Sequence, residues 1–136
     1  LALAVHAVGV HLGHDEISTG VARKLLGEAR LLGRSTHPLD DVRHADAEAC
    51  DYLGLGPVNS TAVKPDKPAI GPERLREAQT LTHLPVFAIG GIDLDNITTL
   101  LDAGCRRVAV ISAIMAAEKP ERASEQLLQA LLHPVD

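Results

Sequence analysis

Aromatic side chains are almost missing: Tyr52 and Phe87 stand alone, and there is no tryptophan. That scarcity removes the stacking platform on which single-stranded bases are held, and it disfavours a flavin sandwiched between rings. Positive charge is also short. Lys and Arg number 13 against 18 acidic residues, for a net charge of -5, so no basic stripe follows a nucleic-acid backbone. No nucleic-acid partner is expected, while small anions stay open because backbone amides bind them without net positive charge. Cysteine is limited to Cys50 and Cys105, with neither a disulfide framework nor a zinc-ligand pattern. Each ends an Ala-bearing helical stretch just before an apolar run, the setting of a small buried hydrophobe. No apolar run reaches the roughly 20 residues that span a bilayer, and no charged segment followed by an apolar one opens the chain as a signal peptide would. No membrane partner is expected, and a cytoplasmic location is the default.

What the chain has in quantity is apolar residues, 46% of 136, enough for the core of a single domain. Short apolar runs recur at Gly9–Leu12, Arg30–Gly33, Tyr52–Gly56, Val86–Ile89 and Arg107–Ile111, each punctuated by Gly or Pro. Helical patterns lie between and after them at Ser18–Leu26, Leu39–Ala49, Glu73–Leu81, Leu94–Ala103 and Pro120–Leu132. Strict alternation of strand and helix predicts parallel strands joined by helical crossovers. Ser18 is suited to an N-cap, Pro72 to a first turn, and Gly27 and Gly104 to positions just past helix ends. The runs Val86–Ile89 and Val108–Ile111 are apolar at every position, as strands buried on both faces are. Two architectures satisfy this pattern: an open doubly wound sheet, or part of an eight-stranded barrel. The opening Leu1–Ala7 reads as the end of a helix already under way, so an upstream segment is expected.

In both architectures ligands sit at the carboxyl ends of the strands. There the chain places Gly90-Gly91 and Ser112-Ala113, whose amides suit an oxyanion. It also places Ser35-Thr36-His37-Pro38, with two hydroxyls and an imidazole, of which Thr36 or His37 would serve equally as a helix cap. The long loop from Gly56 to Gly71 carries Asn59, Ser60, Thr61, Lys64, Asp66 and Lys67; loops of that length are often functional. Lys64 is the best candidate for a cation facing a diphosphate, with a solvated surface lysine as the alternative. His14-Asp15-Glu16 follows the first run, and a carboxylate there suits magnesium or a helix dipole. The seven histidines show no metal-ligand spacing. His6, His44, His83 and His133 are expected at the surface, and His11, inside a strand, as a satisfied core or lumen residue.

Taken in order, these motifs resemble the thiamine phosphate synthase family over nearly the whole chain. The resemblance is carried by Gly9-Val10-His11-Leu12-Gly13, Ser35-Thr36-His37, Asp51 through Val58, Thr61 with Lys64, Ala88 through Ile92, and Val108 through Ile114. It implies an α/β fold, a parallel (β/α)8 TIM barrel of which about five units, strands 4 to 8, are present in residues 1–136. It implies a magnesium-dependent enzyme that couples hydroxymethylpyrimidine diphosphate to thiazole phosphate and releases pyrophosphate. Lys64 and Ser35 would be catalytic. Thr61 would join them on the diphosphate or thiazole side, and Gly91, Ile111 and Ser112 would hold the thiazole phosphate. The family's usual Gln-Glu-Asp is His14-Asp15-Glu16 here, which gives the metal role to Glu16 with Asp15 as the alternative. Val63 stands where the family has a threonine. The family's pyrimidine-diphosphate cluster, from its first three strands, has no counterpart in these residues. The segment alone is therefore expected to be inactive, and, with open strand edges, to be poorly stable or to self-associate. Two other functions fit the pattern: a thiazole tautomerase or regulatory relative on the same barrel with His37 as the proton-transfer group, and a non-catalytic phosphate-binding module on an open sheet.

Overall fold

The computed structural model describes residues 1–37, 39–45 and 49–132. Its elements follow one another as β1 (Gly9–Leu12), α1 (Thr19–Leu26), β2 (Leu31–Thr36), α2 (Leu39–Ala45), β3 (Tyr52–Leu55), α3 (Gly71–Ala78), β4 (Val86–Ile89), α4 (Ile97–Asp102), β5 (Val108–Ala109), α5 (Ser112–Met115) and α6 (Pro120–Leu132). All four strand pairings are parallel, and the order across the sheet is β1-β2-β3-β4-β5. A doubly wound sheet reverses its strand order at a switch point. This one does not, so the sequential, TIM-barrel-like alternative is the one the chain adopts.

Alternation along each strand separates the two faces of the sheet. Leu12, Leu32, Leu53, Leu55, Val86 and Ala88 pack against Ala22, Leu26, Val42, Leu75, Ala78 and Leu100 of the helices in one continuous core. Leu32, Leu53, Leu55, Leu75 and Leu100 have no exposed surface. His11, Tyr52, Phe87 and Ile89 take the intervening strand positions, and Ile89 is 36% exposed. The expectation that the fourth and fifth strands are buried on both faces is therefore corrected: helices cover one face only. β5 is an edge strand of two residues with a single partner, and Ile111, 57% exposed, lies beyond its end.

The helix signals act as expected. Ser18 caps α1 by accepting from the Val21 amide, Gly27 follows its last turn at φ 73°, and Pro72 sits in the first turn of α3. Gly104, at φ 83°, follows the end of α4. Cys50 and Cys105 are buried, and neither forms a disulfide among the described residues. His6, His44 and His83 are exposed; His133 and Pro38 lie outside the described residues. Several boundaries differ, α3 among them, which runs Gly71–Ala78 where the pattern predicts Glu73–Leu81. β2 runs on through Ser35 and Thr36, so these hydroxyls belong to the strand itself. Buried Thr36 donates to the Gly54 carbonyl at 3.2 Å, a bond between strands where a helix cap was the alternative. Residues 94–96 precede α4 as an Asx turn, with the Asp93 carboxylate accepting from the Asp95 and Asn96 amides. Residues 2–6 form turns instead of a helix end, with His6 at φ 52°.

One guanidinium ties α1 to the sheet. Arg23, 8% exposed, donates to the carbonyls of Ala49, Gly27 and Arg30 and to Asp51 Oδ2 at 2.7 Å. Asp51 Oδ2 also accepts from the Leu32 amide at 2.7 Å. Partial burial raises the Asp51 pKa, but the Leu32 amide and the Arg23 charge outweigh it and hold the group below the usual carboxylate value. A depressed carboxylate adds stability above its unfolded pKa of about 3.9, and that stability is lost as pH falls through the folded pKa. Arg23→Met is expected to cost about 2–4 kcal/mol at neutral pH, read by denaturant unfolding. The gap between variant and parent should narrow as pH falls below about 4; a gap independent of pH would contradict this account.

Candidate active site

At the carboxyl ends of the strands lies a cleft of about 210 Å³, lined by residues at or just past all five strand ends and from the loop after β3. β3 and β4 keep their pairing beyond their formal ends: Val58 N–H donates to Ile89 O at 2.9 Å and Asn59 N–H to Gly90 O at 3.1 Å. The chain then leaves on its excursion through Thr61, Lys64 and Lys67 and returns to its own root. Ile70 N–H donates to Pro57 O, and Gly71 N–H to Val58 O, both at 3.0 Å. The loop is thus closed at its base, and both lysines line the cleft.

The Gly90-Gly91 turn is held from two sides. Gly91 O accepts from Asn59 Nδ2 at 3.1 Å and from Asn96 Nδ2 at 2.8 Å. Both glycines have positive φ, 97° and 62°, a region that side chains with a Cβ avoid. A Cβ on Gly90 would meet Pro57 at 2.6 Å, and one on Gly91 the Ser60 carbonyl at 2.5 Å. Ile111 and Ser112, at the start of α5, line the same cleft. Amides in a helix's first turn have no intrahelical acceptor.

Six residues singled out by sequence reach this one cleft: Ser35, Thr61, Lys64, Gly91, Ile111 and Ser112. Asp15 and Glu16 do not line it. Glu16 turns back on its own loop, where its carboxylate accepts from the Gly13 amide. Among the described residues no group of three or more His, Cys, Asp or Glu side chains could enclose a metal. Glu16 meets the oxygen-donor chemistry of magnesium, which commonly takes one or two carboxylates plus phosphate oxygens, as a single ligand.

Three features escaped the sequence reading. His14 lines the cleft, and its Nδ1 lies 3.2 Å from Asp41 Oδ2, a buried oxygen with no hydrogen-bond partner among the described residues, so the contact is a charge pair when the imidazole is protonated. His37 donates from Nδ1 to the Gly56 carbonyl at 3.0 Å, so in the neutral ring Nε2 is the acceptor. His11 bridges Ser35 and Tyr52; partial burial lowers its pKa, and the nearby Glu16 charge offsets part of that shift. With Lys64 and Lys67, the cleft gathers cationic side chains in a chain of net charge -5. The asparagines that support Gly91 carried no signal beyond ordinary loop composition.

Sequentially paired parallel strands, with a glycine turn and two lysines gathered at their carboxyl ends, define a TIM-barrel-like α/β protein with an anion-suited cleft. Comparison with known proteins narrows that class, because the sequence model of the thiamine monophosphate synthase family matches residues 1–114. A thiamine-phosphate synthase of Parasynechococcus marenigrum is 61% identical over 98% of this chain and 38% of its own length. One from Prochlorococcus marinus is 56% identical over 96% of this chain and 37% of its own length. The solved thiamine phosphate pyrophosphorylase of Pyrococcus furiosus superposes with a TM-score of 0.89 at 37% identity, covering 99% of this chain and 64% of that one. The chain belongs to the thiamine monophosphate synthase family, and it spans less than two fifths of the length of these curated relatives.

Because both φ and space exclude a side chain, Gly91→Ala is expected to cost about 1–2 kcal/mol for the left-handed backbone alone, with more for the Ser60 and Asn59 contacts. Calorimetry of the variant checks the cost. An unchanged melt would show that the turn accepts a Cβ.

Proposed function

We propose that these residues form the phosphate-binding part of a thiamine phosphate synthase, five of the eight βα units of its barrel. The enzyme couples hydroxymethylpyrimidine diphosphate to thiazole phosphate in the cytoplasm. The carrying observation is that a doubly anchored glycine turn, the Ile111-Ser112 tip and the Lys64 loop all line a single cleft. Relatives that bear the synthase name at 56% and 61% identity support the same reading.

In this reading the bond between the pyrimidine methylene carbon and the diphosphate oxygen breaks, and pyrophosphate departs with the electron pair. The thiazole nitrogen then gives its lone pair to the methylene carbon to make the new C–N bond. Charge develops on the leaving group, so placed cations and donors supply most of the rate. Lys64 and Ser35 face the departing diphosphate, with Thr61 beside them. The amides at Gly91, Ile111 and Ser112 hold the thiazole phosphate. Magnesium would neutralise diphosphate charge, with Glu16, or Asp15 in its place, as one carboxylate ligand. The remaining units would cover the open sheet face and the edges at β1 and β5. They would also shield Leu3, Val5, Val8, Leu31, Ile111 and Met115, all more than 45% exposed here and a source of self-association if left open.

The full-length protein should release pyrophosphate only when both substrates are present. Lys64→Ala should lower kcat/KM by roughly 10²–10³-fold with the melt unchanged. Undiminished activity would remove Lys64 from the reaction, and no turnover with the substrate pair would overturn the synthase reading. One observation favours a second reading: the fixed tautomer of His37 leaves a basic Nε2 at the cleft, as a thiazole tautomerase needs. Isomerisation of a thiazole phosphate without any pyrimidine substrate would establish it.

A further inference from the structure

On the sheet face away from the helices, β1, β2 and β3 bring three side chains into one chain of hydrogen bonds. His11 Nε2 lies 2.9 Å from Ser35 Oγ, and His11 Nδ1 lies 3.2 Å from the Tyr52 hydroxyl. The two rings are 5.4 Å apart and tilted by 36°. Space for them depends on Gly33, where a Cβ would collide with the Tyr52 ring and with His11 Nδ1. Ser35 lines both the cleft and the broader cavity of about 740 Å³ on the open face. Its hydroxyl is therefore the point at which this chain reaches the cleft.

The direction of the bonds follows from what each group can give. Neutral imidazole carries one N–H and one bare nitrogen, and desolvation, opposed in part by Glu16, favours that neutral form. In one polarity Ser35 donates to Nε2, and Nδ1–H donates to Tyr52. The serine hydrogen is then consumed inside the protein, and the cleft meets only lone pairs. In the other polarity Tyr52 O–H donates to Nδ1 and Nε2–H donates to Ser35 Oγ. The serine O–H is then free to donate into a cleft that Lys64 and Lys67 make favourable to anions.

We propose that His11 is a positioning residue: held by Tyr52 as the Nε2–H tautomer, it makes Ser35 a hydrogen-bond donor toward a phosphate oxygen in the cleft. His11 acts through Ser35 and need not touch substrate. The inference rests on the synthase reading for the identity of the anion as a diphosphate, whereas the tautomer does not depend on it.

The test uses the full-length protein labelled with 15N-histidine, with inorganic pyrophosphate as the probe. Long-range 1H–15N spectra should show the His11 proton on Nε2. Tyr52→Phe should move population to Nδ1–H and weaken pyrophosphate binding by about tenfold, the worth of one hydrogen bond. His11→Gln keeps an N–H directed at Ser35 and should stay within about threefold of the parent, whereas His11→Phe should bind about as weakly as Ser35→Ala. The His11→Phe/Ser35→Ala double variant should then be no weaker than either single change. A proton on Nδ1 in the parent protein overturns the proposal, as does additivity in that double variant. If the tautomer and the pyrophosphate results come out as expected while the substrate pair gives no turnover, the positioning role stands and only the synthase reading fails.

Discussion

The Gly91 carbonyl, shared by the amides of Asn59 and Asn96, is the constraint on which the site's geometry depends. It joins the loop after β3 to the turn after β4 at the point where the sheet ends. Backbone pairing continues to that point through Val58 and Asn59, so the two strand tips cannot splay apart without breaking several bonds at once. The Lys64 loop inherits its position from the same root. A long loop ordinarily pays in conformational entropy for any fixed placement; this one is closed at its base by Ile70 and Gly71, so only the excursion between them has to be ordered around a ligand.

The sheet is asymmetric in the way that such a site requires. On the helix side, leucines with no exposed surface fill one continuous core, and Arg23 with Asp51 ties α1 to the start of β3. The other side carries an imidazole, a phenol, a hydroxyl and glycines, arranged around the space of the open cavity. Stability is thus concentrated behind the sheet and chemistry in front of it. The strand ends where the cleft opens are continuous with both, which lets a stiff core hold the donors and cations in place.

Much of this was legible in the sequence, for definite reasons. Short apolar runs, Gly and Pro punctuation and helix caps are local signals, so Ser18, Gly27, Pro72 and Gly104 mark their helix ends correctly. Because a parallel sheet sends all its carboxyl ends to one side, motifs far apart in sequence were bound to meet, and Ser35, Lys64, Gly91 and Ser112 do. What was not legible depends on partners. Nothing local tells that β2 extends through Thr36; that follows from its pairing with Leu55. Nothing local tells that β5 stops at Ala109, where its pairing with β4 ends. The run Val86–Ile89 reads as buried throughout, although burial on its second face would need a covering layer that these residues do not supply. Glu16 turned inward to Gly13, and the His11 chain joining three strands, are likewise products of tertiary approach.

In the proposed function the Gly91 and Ser112 tips grasp one anion together. Amide 1H–15N spectra of the full-length protein, titrated with inorganic phosphate, test it most directly. The account predicts that the amides at Gly91 and Ser112 shift along one saturation curve with a single dissociation constant. Two independent curves, or a shift at one tip with none at the other, would contradict it.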